Sequence, residues 1–266
     1  WLLHALSETK EPAITQPSAD FSVSATGSGS EIGSYITALN HTGSFTAGTY
    51  EYGPTDTGVS ESNVTWEFTN NVTSTKNTSK TGNFALDSTN RIQLTQEDSK
   101  TYATITGKWK IDATNAKTPV NNIGVETSGK FTTIEGSKTK NVTATSYRKA
   151  FWGVLAAGEA LNTSALTSDL IRGLSKSSTS KNATPSKIEV PVGSQQVIIA
   201  LKKGLKTTLT ATDSKAQNAT VGFTKMSTNI KVAGNNNYDP IDYDIWYVDW
   251  NPDKAEGYTG IGSAKS

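Results

Sequence analysis

The chain has 266 residues, 34% of them hydrophobic and 18% charged, with a net charge of +1 at pH 7 and no cysteine. That balance leaves no basic field for nucleic acid or an anionic membrane surface, and the missing thiols exclude disulfides, thiolate metal sites and cysteine nucleophiles. Ser, Thr, Asn and Gly fill the gap, while Trp, Tyr, Phe, Val and Ile come in short clusters, a composition that suits many short strands joined by turns rather than a helical enzyme or a disordered chain.

Residues 1–19 open with "WLLHAL", too short for a signal-peptide core with its flanks. "SETKEPAITQPSAD" follows, with Pro12 and Pro17, and reads as an extended linker. The first residue is Trp1 and the single methionine is Met226, so a processed or partial chain is expected. No run approaches the ~18 apolar residues of a membrane span.

From Phe21 a period of two begins, with Phe21, Val23 and Ala25 on one face. "SGSEIGSYITALN" supplies Ile32 and Ile36. In "FTAGTYEYGPTDTGVSESNVTWEF" Tyr50, Tyr52, Trp66 and Phe68 are expected to fill a core, with "GPTDTGVSES" as a surface loop turned by Pro54 and Gly58. "NVTWEFT" sets Val64, Trp66 and Phe68 against Thr65 and Glu67. "GNFALD", "RIQLTQ" and "TYATITGKWKID" continue the series; in the last, Ala103 and Ile105 face one way and Tyr102, Thr104 and Thr106 the other. Strand candidates with turn signals every ~8–12 residues mark an antiparallel sandwich, read as immunoglobulin-like over residues 20–116.

"NAKTPVNNIG", residues 115–124, breaks the pattern and sets the domain boundary. A second β-rich domain is expected over 117–266. "GKFTTIEGSKTKNVTATSY" reads as a hairpin turning at Gly136-Ser137, and "YRKAFWGVL" as a strand. One short helix is predicted near 167–175, capped by Thr167 or Ser168, with Leu170, Ile171 and Leu174 as its apolar face. In "KIEVPVGSQQVIIALKK", Ile188, Val190 and Val192 alternate. The run Val197 to Leu201 predicts a strand covered on both faces. The whole is mainly β: two antiparallel sandwich-like domains with one short helix in the second.

Chemistry-bearing residues are sparse. His4 falls in the linker and His41 in "LNHTG", read as a turn. No zinc spacing, nucleophile elbow or phosphate loop is present. Lys202, Lys203 and Lys206 form the densest cation cluster and read as a solvated strand end. Eight Asn-x-Ser/Thr sequons, at Asn40, Asn63, Asn71, Asn77, Asn141, Asn162, Asn182 and Asn218, read as chance in a Ser/Thr-rich chain. The one enzymatic option is the acidic cluster Asp239, Asp242, Asp244, Asp249 and Asp253. Asp242 and Asp244 share a strand face ~6.5–7 Å apart, in the range of a glycosidase pair, with Trp246 and Trp250 nearby to stack a sugar. The favoured alternative is that these acids solubilise a strand end. No catalytic residue, cofactor or metal ligand is assigned. The strand "DYDIWYVDW" is apolar on both faces, with Trp246, Val248 and Trp250 on one and Tyr243, Ile245 and Tyr247 on the other. These six are the candidate interface, one face needing cover from a neighbouring subunit, a further strand, or a local loop such as "NPDKAEGYTG".

Taken together, "EIGSYITALNHTGSFTAGTYEYGPTDTGV…VTWEF", "PVNNIG", "YRKAFWGVL", "TSDLIRGLSKS" and "VPVGSQQVIIALKKG" resemble a β-rich module pair found in virion proteins of tailed bacteriophages, over roughly residues 30 to 255. Order and spacing carry the resemblance. It implies a structural or host-contacting role in a tail, baseplate or fibre-like protein assembled in a host cytoplasm. The implied partners are other virion subunits in a homo-oligomer and a host surface glycan or protein. It brings no catalytic residues. A bacterial surface adhesin or surface-layer module shares this composition and is the main alternative; a carbohydrate-active enzyme is the other.

Overall fold

The structure, a computed structural model, describes residues 8–156, 166–213, 220–249 and 257–262, without the side chains of 227, 228 and 260. It is mainly β, with one α-helix among these residues. The chain divides into two compact units. The first comprises the residues up to Thr26, Ile36–Ile92 and Thr101–Ala144; the second comprises Gly27–Tyr35, Gln93–Lys100 and the residues from Thr145 onward.

Unit 1 is a sandwich of seven strands: β1 (Ser18–Thr26), β2 (Ala38–Thr46), β3 (Val64–Asn70), β4 (Lys76–Asn77), β5 (Thr81–Ala85), β6 (Asp98–Ile111) and β7 (Ile134–Tyr147). One sheet runs β1-β2-β5 and the other β7-β6-β3-β4. An immunoglobulin constant-type sandwich places its first, second, fifth and fourth strands on one sheet and its third, sixth and seventh on the other. Here the two-residue fourth strand has changed sheet, and the rest of that connectivity is kept.

The alternation of these strands decides their inner faces. Trp109 lies opposite Trp66 in register, Gly107 opposite Phe68, and Ile105 opposite Asn70. From the facing sheet Phe21 meets Phe68 edge-on at 5.3 Å between ring centroids. Trp66 stacks beside Phe68 at 5.7 Å. Each such aromatic pair adds about 0.5–1.5 kcal/mol beyond the area it buries.

Unit 2 is a second sandwich, formed by β8 (Phe151–Ala156), α1 (Ser168–Arg172), β9 (Lys176–Ser177), β10 (Lys187–Ile188), β11 (Ser194–Lys202), β12 (Thr210–Asp213), β13 (Thr220–Gly222), β14 (Thr224–Val232), β15 (Ile241–Asp249) and β16 (Tyr258–Gly262). Its sheets run β9-β8-β11-β15-β14 and β10-β16-β12-β13. Ile188, Val197, Ile199, Leu209, Trp246 and Tyr258 belong to the core on one face of the five-stranded sheet. Phe151, Ile171, Ile198, Ala200, Tyr243 and Ile245 form a second core on the other face, under α1. Val197 to Leu201 are all fully buried, as a run covered on both faces requires.

Several local expectations need correction. The segment 129–147 is no hairpin: Ile134–Tyr147 is one 14-residue strand. Gly136 is there because a Cβ at that position would lie 2.4 Å from the Trp109 ring, so the glycine admits a neighbouring side chain rather than a turn. His41 is not in a turn but inside β2, and it is 1% exposed. The helix is five residues long, with Thr167 as N-cap accepting a hydrogen bond from Leu170 N at 3.2 Å. Ile171 is its buried residue, while Leu170 is exposed. Val192 does not continue the alternation of Ile188 and Val190. It sits 80% exposed in the turn closed by Ser194 N donating to Pro191 O. Ile14 and Thr15, read as linker, pair with Tyr50 and Thr49 as short antiparallel strands.

The stretch 115–124 lies within unit 1. Lys117 N donates to Thr57 O at 2.9 Å, and Asn121 N to Val125 O at 2.8 Å. Lys117 also pairs with Asp56 at 2.5 Å. Its Pro and Asn residues build an anchored turn, whose signature in sequence is the same as that of a linker.

Candidate functional site

Strand β15 is hydrogen-bonded on both sides, to β11 and to β14. Tyr243 and Ile245 point into the core beneath α1, and Trp246 into the core between the sheets, where Tyr258 of β16 is a neighbour. All three are buried by the chain itself. Tyr243, Ile245 and Trp246 therefore have their cover within the chain. Of "NPDKAEGYTG", named above as a rival cover, Tyr258 supplies part of the packing, and residues 251–256 lie outside the described residues. Tyr247 and Val248 are half-buried, and Trp250 lies outside the described residues.

The same strand carries the acidic pair. Asp244 is buried; its Oδ2 accepts from Gly204 N at 2.9 Å and meets Lys225 Nζ at 2.8 Å. Asp242 lies 3.3 Å from Lys231 and 3.5 Å from Lys203. The Lys231 hydrogen bond, with Lys203 beside it, holds the Asp242 carboxyl below the usual carboxylate range. Asp249 accepts from Gln196 Nε2 at 2.6 Å. These acids brace strands. Asp253 and His4 lie outside the described residues.

The best-built polar arrangement is one that sequence reasoning missed. Glu31 is 6% exposed, and its two carboxylate oxygens receive the two Nη groups of Arg172 at 2.6 and 3.1 Å. Arg172 Nη1 also donates to Ala233 O at 2.7 Å. The Glu31 hydrogen bond pushes the Arg172 guanidinium further toward its charged form. Beside it, buried Arg148 donates to Asp239 O at 2.7 Å and to Asp239 Oδ2 at 3.0 Å. Glu97 is 3.8 Å from Arg148 and 2.8 Å from Lys202. Tyr243 donates its hydroxyl to Lys149 O at 2.7 Å, and burial raises its pKa well above that of an ordinary phenol.

Backbone bonds complete the assembly. Gly33 N donates to Leu94 O at 2.8 Å, and Asn235 N to Ile32 O at 2.8 Å. At Gly33 the backbone adopts φ +87°, and a Cβ there would fall 2.1 Å from Asn235 O, so only glycine fits. The segments 27–35 and 93–100 and the turn at 233–239 are thus sewn together within unit 2. Glu31 and Arg172 are 141 residues apart, and no local pattern announces their pairing.

The remaining candidates are shallow or already partnered. Tyr50 does not join the sandwich core. It stacks on Phe131 at 4.4 Å, donates to Lys117 O at 2.9 Å and accepts from Phe131 N at 3.1 Å. Tyr52 is half-buried, whereas Trp66 and Phe68 are core residues as expected. An open trough of about 670 Å³ on the outer face of β3, β6 and β7 is lined by Thr65, Glu67, Lys108, Lys110 and Glu135, and a Lys110–Glu135 pair at 3.4 Å crosses it. A cleft of about 530 Å³ in unit 2 is lined by Trp152, Val154, Lys187, Ile188 and Pro191. Lys203 donates to Asn229 Oδ1 at 2.8 Å and Lys202 is bound to Glu97, so two of the three clustered lysines are tied down. Among the described residues no three His, Asp or Glu side chains gather as a metal site. Comparison of the chain with protein-family models, with curated proteins and with solved structures finds no match.

Proposed function

We propose that this chain is a structural component of a tailed-bacteriophage virion, a tail, baseplate or fibre-like subunit working beside copies of itself and other virion subunits and contacting the host surface. The observation that carries this reading is how the chain uses its buried and half-buried charge. Glu31, Arg172, Arg148, Glu97 and Asp244 are each bound to an oppositely charged side chain in ways that pin loops and strands. A load-carrying subunit needs such fixed segments. The ordered set of motifs that resembles phage virion modules supports the same conclusion. Assembly in a reducing host cytoplasm and persistence outside the cell suit a cysteine-free fold held by packing and ion pairs.

The carbohydrate-active reading needs two carboxyls free to act on a sugar, and Asp242 and Asp244 are both engaged by lysines, Asp244 also by Gly204 N. An adhesin or surface-layer module shares the fold, and location separates it from a virion subunit. Antibodies to this chain, with mass spectrometry of gradient-purified particles from a lysed host culture, are expected to find it in particles at a fixed number of copies. Recovery only from bacterial envelopes would overturn the proposal in favour of the adhesin. Polysaccharide cleavage abolished by Asp242→Asn and Asp244→Asn would overturn it in favour of the enzyme.

A further inference from the structure

His41 is the one titratable side chain within the aromatic core of the first sandwich. It is 1% exposed. Its ring stacks on Phe68 with centroids 4.0 Å apart and tilts against Phe84 at 5.4 Å. Neither Nδ1 nor Nε2 has a hydrogen-bond partner. Buried polar atoms are partnered in the great majority of cases, so an imidazole left bare between two sheets calls for explanation.

The surroundings offer no counter-charge. Val23 of β1 and Gly82 of β5 are its cross-strand partners. Asn77 of β4 already uses its Oδ1 to accept from Ser79 N. The charged groups on the packed elements are committed elsewhere: Glu67 with Lys76, Lys80 with Glu61, and Asp20 with Lys138 and Lys140. The Lys80 carbonyl accepts from Gly43 N at 2.7 Å. A protonated ring needs two acceptors and finds, as the one group favouring its charge, the Lys80 carbonyl that Gly43 N already engages, and otherwise two phenyl groups. A cation–π contact with them recovers part of what is lost, but less than the cost of desolvating the charge.

We infer that His41 makes the first sandwich acid-sensitive: its ring cannot hold a proton between the packed β1-β2-β5 and β7-β6-β3-β4 sheets, so below about pH 6.5, where the unfolded chain takes that proton up, the packing of the two sheets is weakened. Burial lowers the ring's pKa, opposed only by the Lys80 backbone. The unfolded chain then binds the proton more readily than the folded one. Stability is complete above the ordinary imidazole value and falls as pH drops from there toward the lowered folded value. Within that window the unfolding equilibrium constant rises by up to about tenfold per pH unit. This switch stands independently of the virion reading.

The chain has only two histidines, His4 and His41, so the range from about pH 6.5 to 5 isolates them from the carboxylates. The experiment is urea unfolding of the full chain across that range. Hydrogen exchange, corrected for its intrinsic pH dependence, is followed in parallel over peptides from β1, β2 and β5. The parent is expected to lose midpoint and protection in these strands as pH falls. His41→Gln and His41→Leu are expected to stay flat, and His4→Ala to follow the parent. Should both His41 variants fail to fold, NMR titration of the His41 ring in the parent decides: a ring neutral at pH 6 supports the switch. A ring titrating at or above about pH 6.5 would overturn it. So would parallel acid loss in the parent and the His41 variants, or abolition of that loss by His4→Ala.

Discussion

Removing the Trp66 side chain is the sharpest test of the first core. Trp66 is 7% exposed, touches Phe68 and Trp109, and lies under Gly43 of the facing sheet, where a Cβ would come 2.9 Å from its ring. An aromatic of this class buries about 150–250 Å², worth about 4–6 kcal/mol at ~25 cal/mol per Å². The alanine keeps part of that, whereas the cavity adds to the loss, and measured aromatic truncations fall at about 3–5 kcal/mol. With a urea slope of about 2 kcal/mol per molar, the midpoint of unit 1 should fall by about 1.5–2.5 M. Far-UV circular dichroism is the assay, since fluorescence would lose a reporter with the mutation. A midpoint within about 0.3 M of the parent, at an unchanged slope, would refute the assignment of Trp66 to the core.

Three further outcomes are expected. Glu31→Gln leaves Arg172 without its bidentate partner and should cost about 2 kcal/mol, reduced from the fully buried case because Arg172 is a quarter exposed; unchanged hydrogen exchange across residues 27–35 would contradict this. Asp244→Ala removes the acceptor for Gly204 N and the partner of Lys225, and should lower the thermal midpoint of unit 2 through a loss of about 1–3 kcal/mol. Asp56 is held low by its Lys117 hydrogen bond and then by Gly58 N, and Asp112 by the Thr114 hydroxyl and N–H. Their stabilisation is present above about pH 4 and lost as pH falls through their lowered folded values. A urea midpoint that stays level from pH 5 to pH 2 would show that these bonds contribute nothing.

By itself the sequence determined what depends on short-range periodicity. The alternation at Ala103 and Ile105, the solid run from Val197 to Leu201, the cap at Thr167 and the mainly-β class all follow from which side chains share a face. Local pattern could not tell a turn glycine from one that makes room for a distant ring, and so Gly136 reads as a turn until Trp109 is placed beside it. The same limit applies to His41, whose neighbours Asn40, Thr42 and Gly43 read as turn formers. Burial is decided by Phe68 and Phe84 on other strands. The Pro/Asn stretch at 115–124 has the composition of a linker, yet long-range bonds to Thr57 and Asp56 fix it in place. Tertiary structure alone paired Glu31 with Arg172, because an ion pair between residues far apart in the chain leaves no trace in either one's local sequence. It also set Tyr243, Ile245 and Trp246 of β15 into cores, since whether an apolar face is a core or an interface depends on what the rest of the chain brings to it.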